Sequence, residues 1–351
     1  MMRSRRLRWS LLALALGGSL GLAAGVFTNP VVRSSDAPDP WVVLHGGTYY
    51  LTGTLDEHGG LWVWSAKTLS GLDAGRKVKV WSTAASGAMS AQVWAPELHW
   101  IRGKWYLYFT ASDGVDANHR EYVLEARTAD PQGPYKAPVR VEPDFENYAI
   151  DGSVLEMPDG RLYWMDCANG VFIAAMSGPT RVTGPRVPLV TGTQDWEHAW
   201  RKSGDNWVKD SGYWVEAPEA LIHGSKVFVA YSAGHTAANY FMGLMELRGS
   251  DPLKPGAWVK RPNPIFEAYG GQDGKVFAPG HGSFTTSRDG RETWLVYHAK
   301  DSFGGDFNGR TMRLGRVTWN KDGSPNLGHP IPSGVNLTAP AGENPGGNAK
   351  R

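Results

Sequence analysis

Asp39, Asp151 and Glu216 are the residues whose type and placement point to chemistry. Each stands where a short alternating apolar run begins, and that run belongs to a pattern repeated along the chain. Two carboxyl groups facing one another across a cavity can hydrolyse a glycosidic bond. One, protonated, delivers its proton to the departing sugar oxygen, and the other, ionised, activates water or attacks directly. A third acid close by orients the donor and raises its pKa by like-charge repulsion. Acids so far apart in the chain serve one reaction only if the fold gathers them.

The repeat supplies a way to gather them. Five segments, 41–54, 96–112, 152–167, 218–234 and 282–299, open with alternating apolar residues, break at HGG, RGK, PDG, HGS or RDG, and resume with aromatic and β-branched residues at period two. This is the signature of a β-hairpin. Further apolar stretches at 78–81, 122–126, 171–175, 240–246 and 312–319 have the length of outer strands. A hairpin unit recurring at a regular interval implies an array. The pattern therefore predicts an all-β, five-bladed β-propeller over residues 29–337, with the strand near 313–319 closing the ring against the N-terminal segment. Long stretches of helical period are missing, which argues against an α/β barrel.

Aligned by their turns, Asp39, Asp151 and Glu216 fall at one register within about a residue. Trp94 occupies it in the second unit, and Gly280 and His281 in the fifth. Acids ahead of strands commonly serve as turn residues and solvated caps. Three at one register of a five-fold array favour a shared site at one mouth of the axis. Asp36 and Glu219, each three residues from a candidate acid, are the rivals; Asp36 reads as a turn residue and Glu219, aligned with Glu97, as a structural hydrogen-bonding group. Trp41, Trp94, Trp164, Trp196 and Trp200 are candidate sugar-stacking surfaces, although any one of them taken singly reads more readily as core.

The chain of 351 residues is long enough for one large β domain, and its 44 Gly and 16 Trp suit a turn-rich fold with aromatic surfaces. Arg3, Arg5, Arg6 and Arg8 precede an apolar run at 11–24 ending in small residues, the pattern of a secretory signal peptide over residues 1–25. Taking those four arginines from the net charge of +2 leaves 2 − 4 = −2. A near-neutral chain without a basic patch excludes nucleic acid as a partner. The expected location is secreted or periplasmic, with no membrane attachment after signal cleavage. Cys167 is the single cysteine, so neither an intrachain disulfide nor a thiolate cluster is available, and it reads as a small buried residue. The Pro/Gly/Asn-rich segment 338–351 reads as a disordered tail.

Taken together, Asn29-Pro30, the run Asp36-Ala37-Pro38-Asp39-Pro40-Trp41, Trp94-Ala95-Pro96-Glu97-Leu98, Ile150-Asp151-Gly152, Glu216-Ala217-Pro218-Glu219 and Gly280-His281-Gly282 resemble glycoside hydrolase family 43. That family comprises five-bladed enzymes including α-L-arabinofuranosidases, β-xylosidases and arabinanases. The segments at 113–120, 195–197 and 319–328 look most like the branch acting on α-1,5-linked arabinofuranosyl chains. The resemblance implies that Asp39 is the general base, Glu216 the general acid and Asp151 the residue that orients Glu216 and tunes its pKa, in an inverting reaction. It implies a substrate-contacting Arg310, with Arg313 as rival and His298 structural. At His281 it implies either a histidine that helps hold a hydrated calcium ion on the axis, largely through water, or a neutral hydrogen-bonded one. The implied partner is a plant cell-wall polysaccharide or oligosaccharide. Ala217 departs from the glycine usual in that segment, adding a methyl and a φ restriction beside the acid. A β-xylosidase, an endo-arabinanase and a non-catalytic sugar-binding propeller remain alternatives at this level.

Overall fold

In the computed structural model, residues 25–33, 36–54, 59–142, 145–270, 274–305 and 307–343 are described. The expected signal peptide lies outside them except for Gly25. The five predicted hairpins are the two inner strands of five antiparallel sheets. They pair Trp41–His45 with Thr48–Thr52, Ala91–Ile101 with Lys104–Ser112, Ile150–Glu156 with Leu162–Cys167, Val215–His223 with Lys226–Gly234, and Phe277–Thr286 with Thr293–Lys300. We call these blades I to V. The third strands are Gly60–Ala66, Arg120–Glu125, Val171–Gly178, Tyr240–Leu247 and Thr311–Trp319. Four of the five predicted outer segments fall on them. The fifth, 78–81, lies instead in the fourth strand of blade I, Arg76–Ser82, because Gly60–Ala66 intervenes. Fourth strands elsewhere are as short as Val139–Arg140 and Pro325–Asn326, too brief to leave a periodic signature.

Among the described residues five buried apolar clusters hold the ring, one between each pair of neighbouring blades. Blades I and II share Val63, Leu98, Trp105 and Phe109. Blades V and I share Tyr49, Leu51, Trp294 and Val296, and Val31 and Val32 of the N-terminal segment enter the same cluster. Non-directional burial of this kind is the dominant stabilising term. The predicted closure against the N-terminal segment is present. The Val31 N–H donates to the Met312 carbonyl at 2.9 Å. Asn29 brackets Leu314, its Nδ2 donating to the carbonyl at 3.0 Å and its Oδ1 accepting from the N–H at 2.9 Å. Outside the blades, Val26–Thr28 pairs with Asn336–Thr338.

Part of the segment expected to be disordered is therefore in place. Thr338 ends a strand, the Ala341 N–H donates to Glu292 at 2.9 Å, and buried Glu343 accepts from the backbone of Leu69 and Ser70. The composition of this segment matches a free tail, but one carboxylate satisfying two backbone donors anchors it. Residues 344–351 lie outside the described part. An additional hairpin, His198–Ser203 with Asn206–Tyr213, belongs to none of the blades and is inserted between blades III and IV.

Candidate active site

One backbone device recurs in all five blades and explains the shared register of the acids. Asp39, Ala95, Asp151, Ala217 and His281 have φ of 55°, 43°, 56°, 53° and 41°, the left-handed region that side chains other than glycine rarely adopt. Each is followed by proline or glycine: Pro40, Pro96, Gly152, Pro218 and Gly282. In blades II to V the inner ladder slips here, as at a β-bulge, which re-aims side chains. Asp39 and Asp151 hold equivalent positions, whereas Glu216 precedes its bulge residue and is equivalent to Trp94.

At each of these left-handed residues the N–H goes to a side chain. Asp39 donates to Nδ1 of His298 at 3.2 Å, Ala95 to Thr54 at 2.8 Å, Asp151 to Thr110 at 3.1 Å and His281 to Ser232 at 2.8 Å. In each case the acceptor belongs to the preceding blade around the ring. Blade III departs from this rule. Thr110, Ser232 and His298 sit across the ladder from Trp94, Glu216 and Gly280, and the matching partner of Ile150 is Cys167. Its thiol donates to the Val215 carbonyl at 3.0 Å. The Ala217 N–H goes instead to Oδ2 of Asp151, at 3.2 Å. A cysteine in place of a hydroxyl residue thus leaves Asp151 to make the bond that ties it to the backbone beside Glu216.

The three acids sit in different electrostatic settings. Asp39 is buried, which by itself disfavours its charge. His281 at 3.2 Å and Arg310 at 3.4 Å outweigh burial and hold the carboxyl far below the usual range. Thr54 adds a 2.6 Å hydrogen bond to Oδ2. Because His298 Nδ1 accepts from the Asp39 N–H, that nitrogen carries no proton when the ring is neutral. Burial first, and then Arg310, hold the His298 ring neutral to about 4. Asp151 moves the opposite way: burial and then the neighbouring Glu216 push it well up. Glu216 accepts from Trp214 Nε1 at 2.5 Å and from the Tyr240 hydroxyl at 2.6 Å.

These groups line a cavity of about 490 Å³, within the range typical of small-ligand sites. Asp39, Asp151, Glu216, Trp94, Trp200, His281 and Arg310 all border it, together with Trp214, Tyr148, His235 and Phe307. Arg310 is held by its own N–H donating to Asp36 at 3.2 Å, so the presumed turn residue helps position the arginine. Arg313, the rival, is buried and bonded to Asp301 at 2.7 Å, far from a substrate-contacting role.

Three tryptophans expected at the cavity do not border it. Trp164 is buried between blades, with Nε1 on Asp166 at 3.1 Å; a Cβ on Gly152 would come within 2.1 Å of its ring. Trp196 packs against Tyr231 over the cluster between blades III and IV, and its Nε1 donates to the Pro262 carbonyl at 2.9 Å. Trp41, two residues past the Asp39 bulge, turns toward the axis below the cavity and donates to the Leu98 carbonyl at 2.8 Å. Trp164 and Trp41 are placed by the facing of their strands and Trp196 by a short 3-10 turn, Asp195–Glu197, outside the blades; alignment by turns conveys neither. Glu97 and Glu219 also face that axial space, where burial and their mutual repulsion push Glu97 well up.

Residues 27–325 match the family described as glycosyl hydrolases family 43. The chain belongs to that family. It is 36% identical over 329 residues to an extracellular exo-α-(1→5)-L-arabinofuranosidase of Streptomyces avermitilis, covering 88% of this chain and 64% of that protein. A Streptomyces chartreusis protein of the same name is 34% identical, with 85% of this chain and 92% of that protein covered. This chain thus spans just under two thirds of the first relative and nearly all of the second. The crystal structure of an α-L-arabinofuranosidase from Lactobacillus brevis superposes with a TM-score of 0.78 at 31% identity, covering 88% of this chain and 98% of that one. No helix among the described residues of this family 43 chain is long and apolar enough to cross a membrane.

Trp214, Tyr240, Thr54 and His298 are the site residues that sequence reasoning missed or undervalued. Trp214 was within reach, since it lies two residues before Glu216 and period two puts both on one face of an extended chain. Tyr240 and Thr54 arrive from other strands and leave no local signal.

Proposed function

We propose that this chain is an exo-acting α-L-arabinofuranosidase that releases terminal L-arabinofuranosyl units from arabinan or arabino-oligosaccharides. The observation that carries the reading is the electrostatic division of one cavity: Asp39 is held ionised by His281 and Arg310, while Asp151 is pushed toward its neutral form beside Glu216. The names of the relatives support the sugar and the terminal mode of action.

In this reading Asp39 takes a proton from water as its oxygen attacks the anomeric carbon. The bond from that carbon to the leaving oxygen breaks, and Glu216 protonates that oxygen. One displacement inverts the configuration, with the two carboxyl groups spaced by roughly 6.5–9.5 Å to admit the water. Burial and the neighbouring Glu216 disfavour charge on Asp151. Asp151, fixed by the Ala217 N–H, orients Glu216. Trp94 and Trp200 supply flat faces for the sugar. Solvent exchange then removes the proton from Asp39 and restores the one on Glu216.

An axial cation belongs to the same proposal. His281 would be its single protein ligand and water would complete an oxygen shell. Among the described residues no three His, Cys, Asp or Glu side chains converge as a metal cage, so no step is routed through an ion. The extracellular names of the relatives support a secreted or periplasmic enzyme, and plant cell-wall polysaccharide is the proposed source of its substrate. The test is a panel of nitrophenyl α-L-arabinofuranoside, nitrophenyl β-D-xylopyranoside and linear arabinan, with the first-formed anomer followed by NMR. Hydrolysis of the xyloside alone, internal cleavage of arabinan, or retention of configuration would each overturn the corresponding part.

A further inference from the structure

Glu121 is a buried carboxyl with no part in the reaction as proposed. It lies on the third strand of blade II, Arg120–Glu125, directly across the ladder from Thr110. Thr110 is the buried hydroxyl that accepts the Asp151 N–H at 3.1 Å, and it gives its own proton to Oε1 of Glu121 at 2.9 Å. A hydroxyl has one proton to place. In blade I the matching hydroxyl, Thr54, places it on Asp39 itself. In blade II the proton goes to an acid that does not border the cavity.

The same carboxyl walls the other half of the bulge. Its Oε2 has no hydrogen-bond partner among the described residues and is packed against Gly152, where a Cβ would come within 2.7 Å of it. One side chain thus backs both residues, through Thr110 at Asp151 and by contact at Gly152. Asp151 needs such support: its φ of 56° is left-handed, and a residue with a side chain keeps that conformation only when its surroundings fix it. Arg186 engages Asp166 and lies 3.6 Å from Glu142, with its guanidinium over the rings of Phe145, 3.8 Å away, and Phe172, 4.7 Å away. Among the described residues no cation pairs with Glu121 itself, and burial, then Asp166, favour its neutral form. What it offers Thr110 is a fixed acceptor rather than a counter-charge.

The consequence falls on the acid arm of the site. Oδ2 of Asp151 accepts the Ala217 N–H beside Glu216, so a shift of the Asp151 backbone reaches the carboxyl that orients the proton donor. Asp39, held by His281, Arg310 and Thr54, shares none of these contacts.

We propose that Glu121 is a positioning residue for the reaction: by accepting the Thr110 proton and backing Gly152, it fixes the Asp151 backbone and with it the geometry of proton delivery from Glu216. This rests on the arabinofuranosidase reading. The test measures kcat and KM for arabinobiose and nitrophenyl α-L-arabinofuranoside in the parent, in Glu121→Met, Glu121→Gln and Thr110→Val, and in the Glu121→Met/Thr110→Val double variant. Methionine keeps the length of glutamate and removes the acceptor; valine keeps the shape of threonine and removes the hydroxyl. Each of these two changes should lower kcat on arabinobiose by about tenfold with KM within about twofold, because a small misplacement of a positioned group is felt at the reacting atoms. The double variant should lose no more than the worse single one, since the two groups act as a unit. Glu121→Gln, whose amide oxygen accepts the same proton, should recover kcat to within about threefold of the parent. The aryl substrate needs little protonation and should lose less than about threefold throughout, which a general loosening of the fold would not spare. Losses that are equal on the two substrates, that multiply in the double variant, or that persist in Glu121→Gln overturn the relay alone, as does parent-like kcat on arabinobiose in Thr110→Val. Thr110→Val against the parent carries the comparison by itself if Glu121→Met does not fold. A parent inert toward both substrates overturns the functional reading and the relay with it.

Discussion

Replacing Glu216, the proposed acid, by glutamine removes its proton while keeping its shape, and the hydrogen bonds around it define how the change is absorbed. Glu216 accepts two hydrogen bonds, from Trp214 Nε1 and from the Tyr240 hydroxyl. The indole donates only, so the amide oxygen of the new side chain must face Trp214. The amide nitrogen then faces Tyr240, whose hydroxyl accepts from it and turns its own proton to Ser232, a partner already within reach. The variant is therefore expected to fold and bind as the parent does. What it loses is proton delivery to the leaving oxygen, which is worth about 100- to 10,000-fold, or roughly 3–5 kcal/mol of barrier. That loss should appear in full in kcat for arabinobiose, whose leaving alkoxide needs the proton. A nitrophenolate leaves without it, so kcat for the aryl arabinofuranoside should fall by about tenfold or less. Initial rates on the two substrates with the same preparation decide the matter. Equal losses on both, or undiminished hydrolysis of arabinobiose, would refute Glu216 as the acid.

Asp39→Asn should abolish turnover of both substrate types, measured by the same initial rates, because water activation is needed whatever the leaving group. Cys167→Ser supplies at blade III a hydroxyl like those of Thr110 and Ser232; it should compete with Asp151 for the Ala217 N–H and lower kcat on arabinobiose by up to about tenfold, the worth of one net hydrogen bond, with KM unchanged. Glu121 is fully buried, and burial, then Asp166, push it up to about 8. Its neutral form is favoured in the fold, so its contribution is present below the unfolded value near 4.5 and is lost as pH rises toward 8; Glu121→Gln should be more stable than the parent at pH 8 by on the order of a few kcal/mol, with the difference vanishing near pH 4 in denaturant titrations. Chelation with EDTA should lower the melting temperature and calcium should restore it, and an unchanged melting curve would remove the axial ion from the proposal.

The hairpins were legible because their evidence is local: alternation at period two and a glycine turn at each tip. The common register of Asp39, Asp151 and Glu216 was legible for the same reason, since it counts residues from those turns. Its cause was not. A left-handed φ at Asp39 or Ala217 is a property of backbone geometry, and nothing in the residue types of Ala217-Pro218 announces it. Trp164 and Trp41 show the other limit. Both have the composition of a stacking surface, yet one faces an inter-blade core and the other the axis, a choice that packing between blades makes. The hydrogen bonds from Tyr240 and Thr54 depend on pairing between strands remote in the chain, which a single sequence does not display.

The connection between blades III and IV carries an additional hairpin, and that hairpin brings Ala199 and Trp200 to the cavity and Trp207 against His235 in its wall. Every blade is one unbroken stretch of chain, so a change in the length of this link leaves the ladders of each neighbouring blade paired within themselves. The scaffold and the selectivity of this protein therefore draw on separate material. An insertion into a link can remodel the walls of the cavity without disturbing Asp39, Asp151 or Glu216, whose positions are set inside the blades. A family built this way can exchange substrates by editing its linkers, and its chemistry stays where it was.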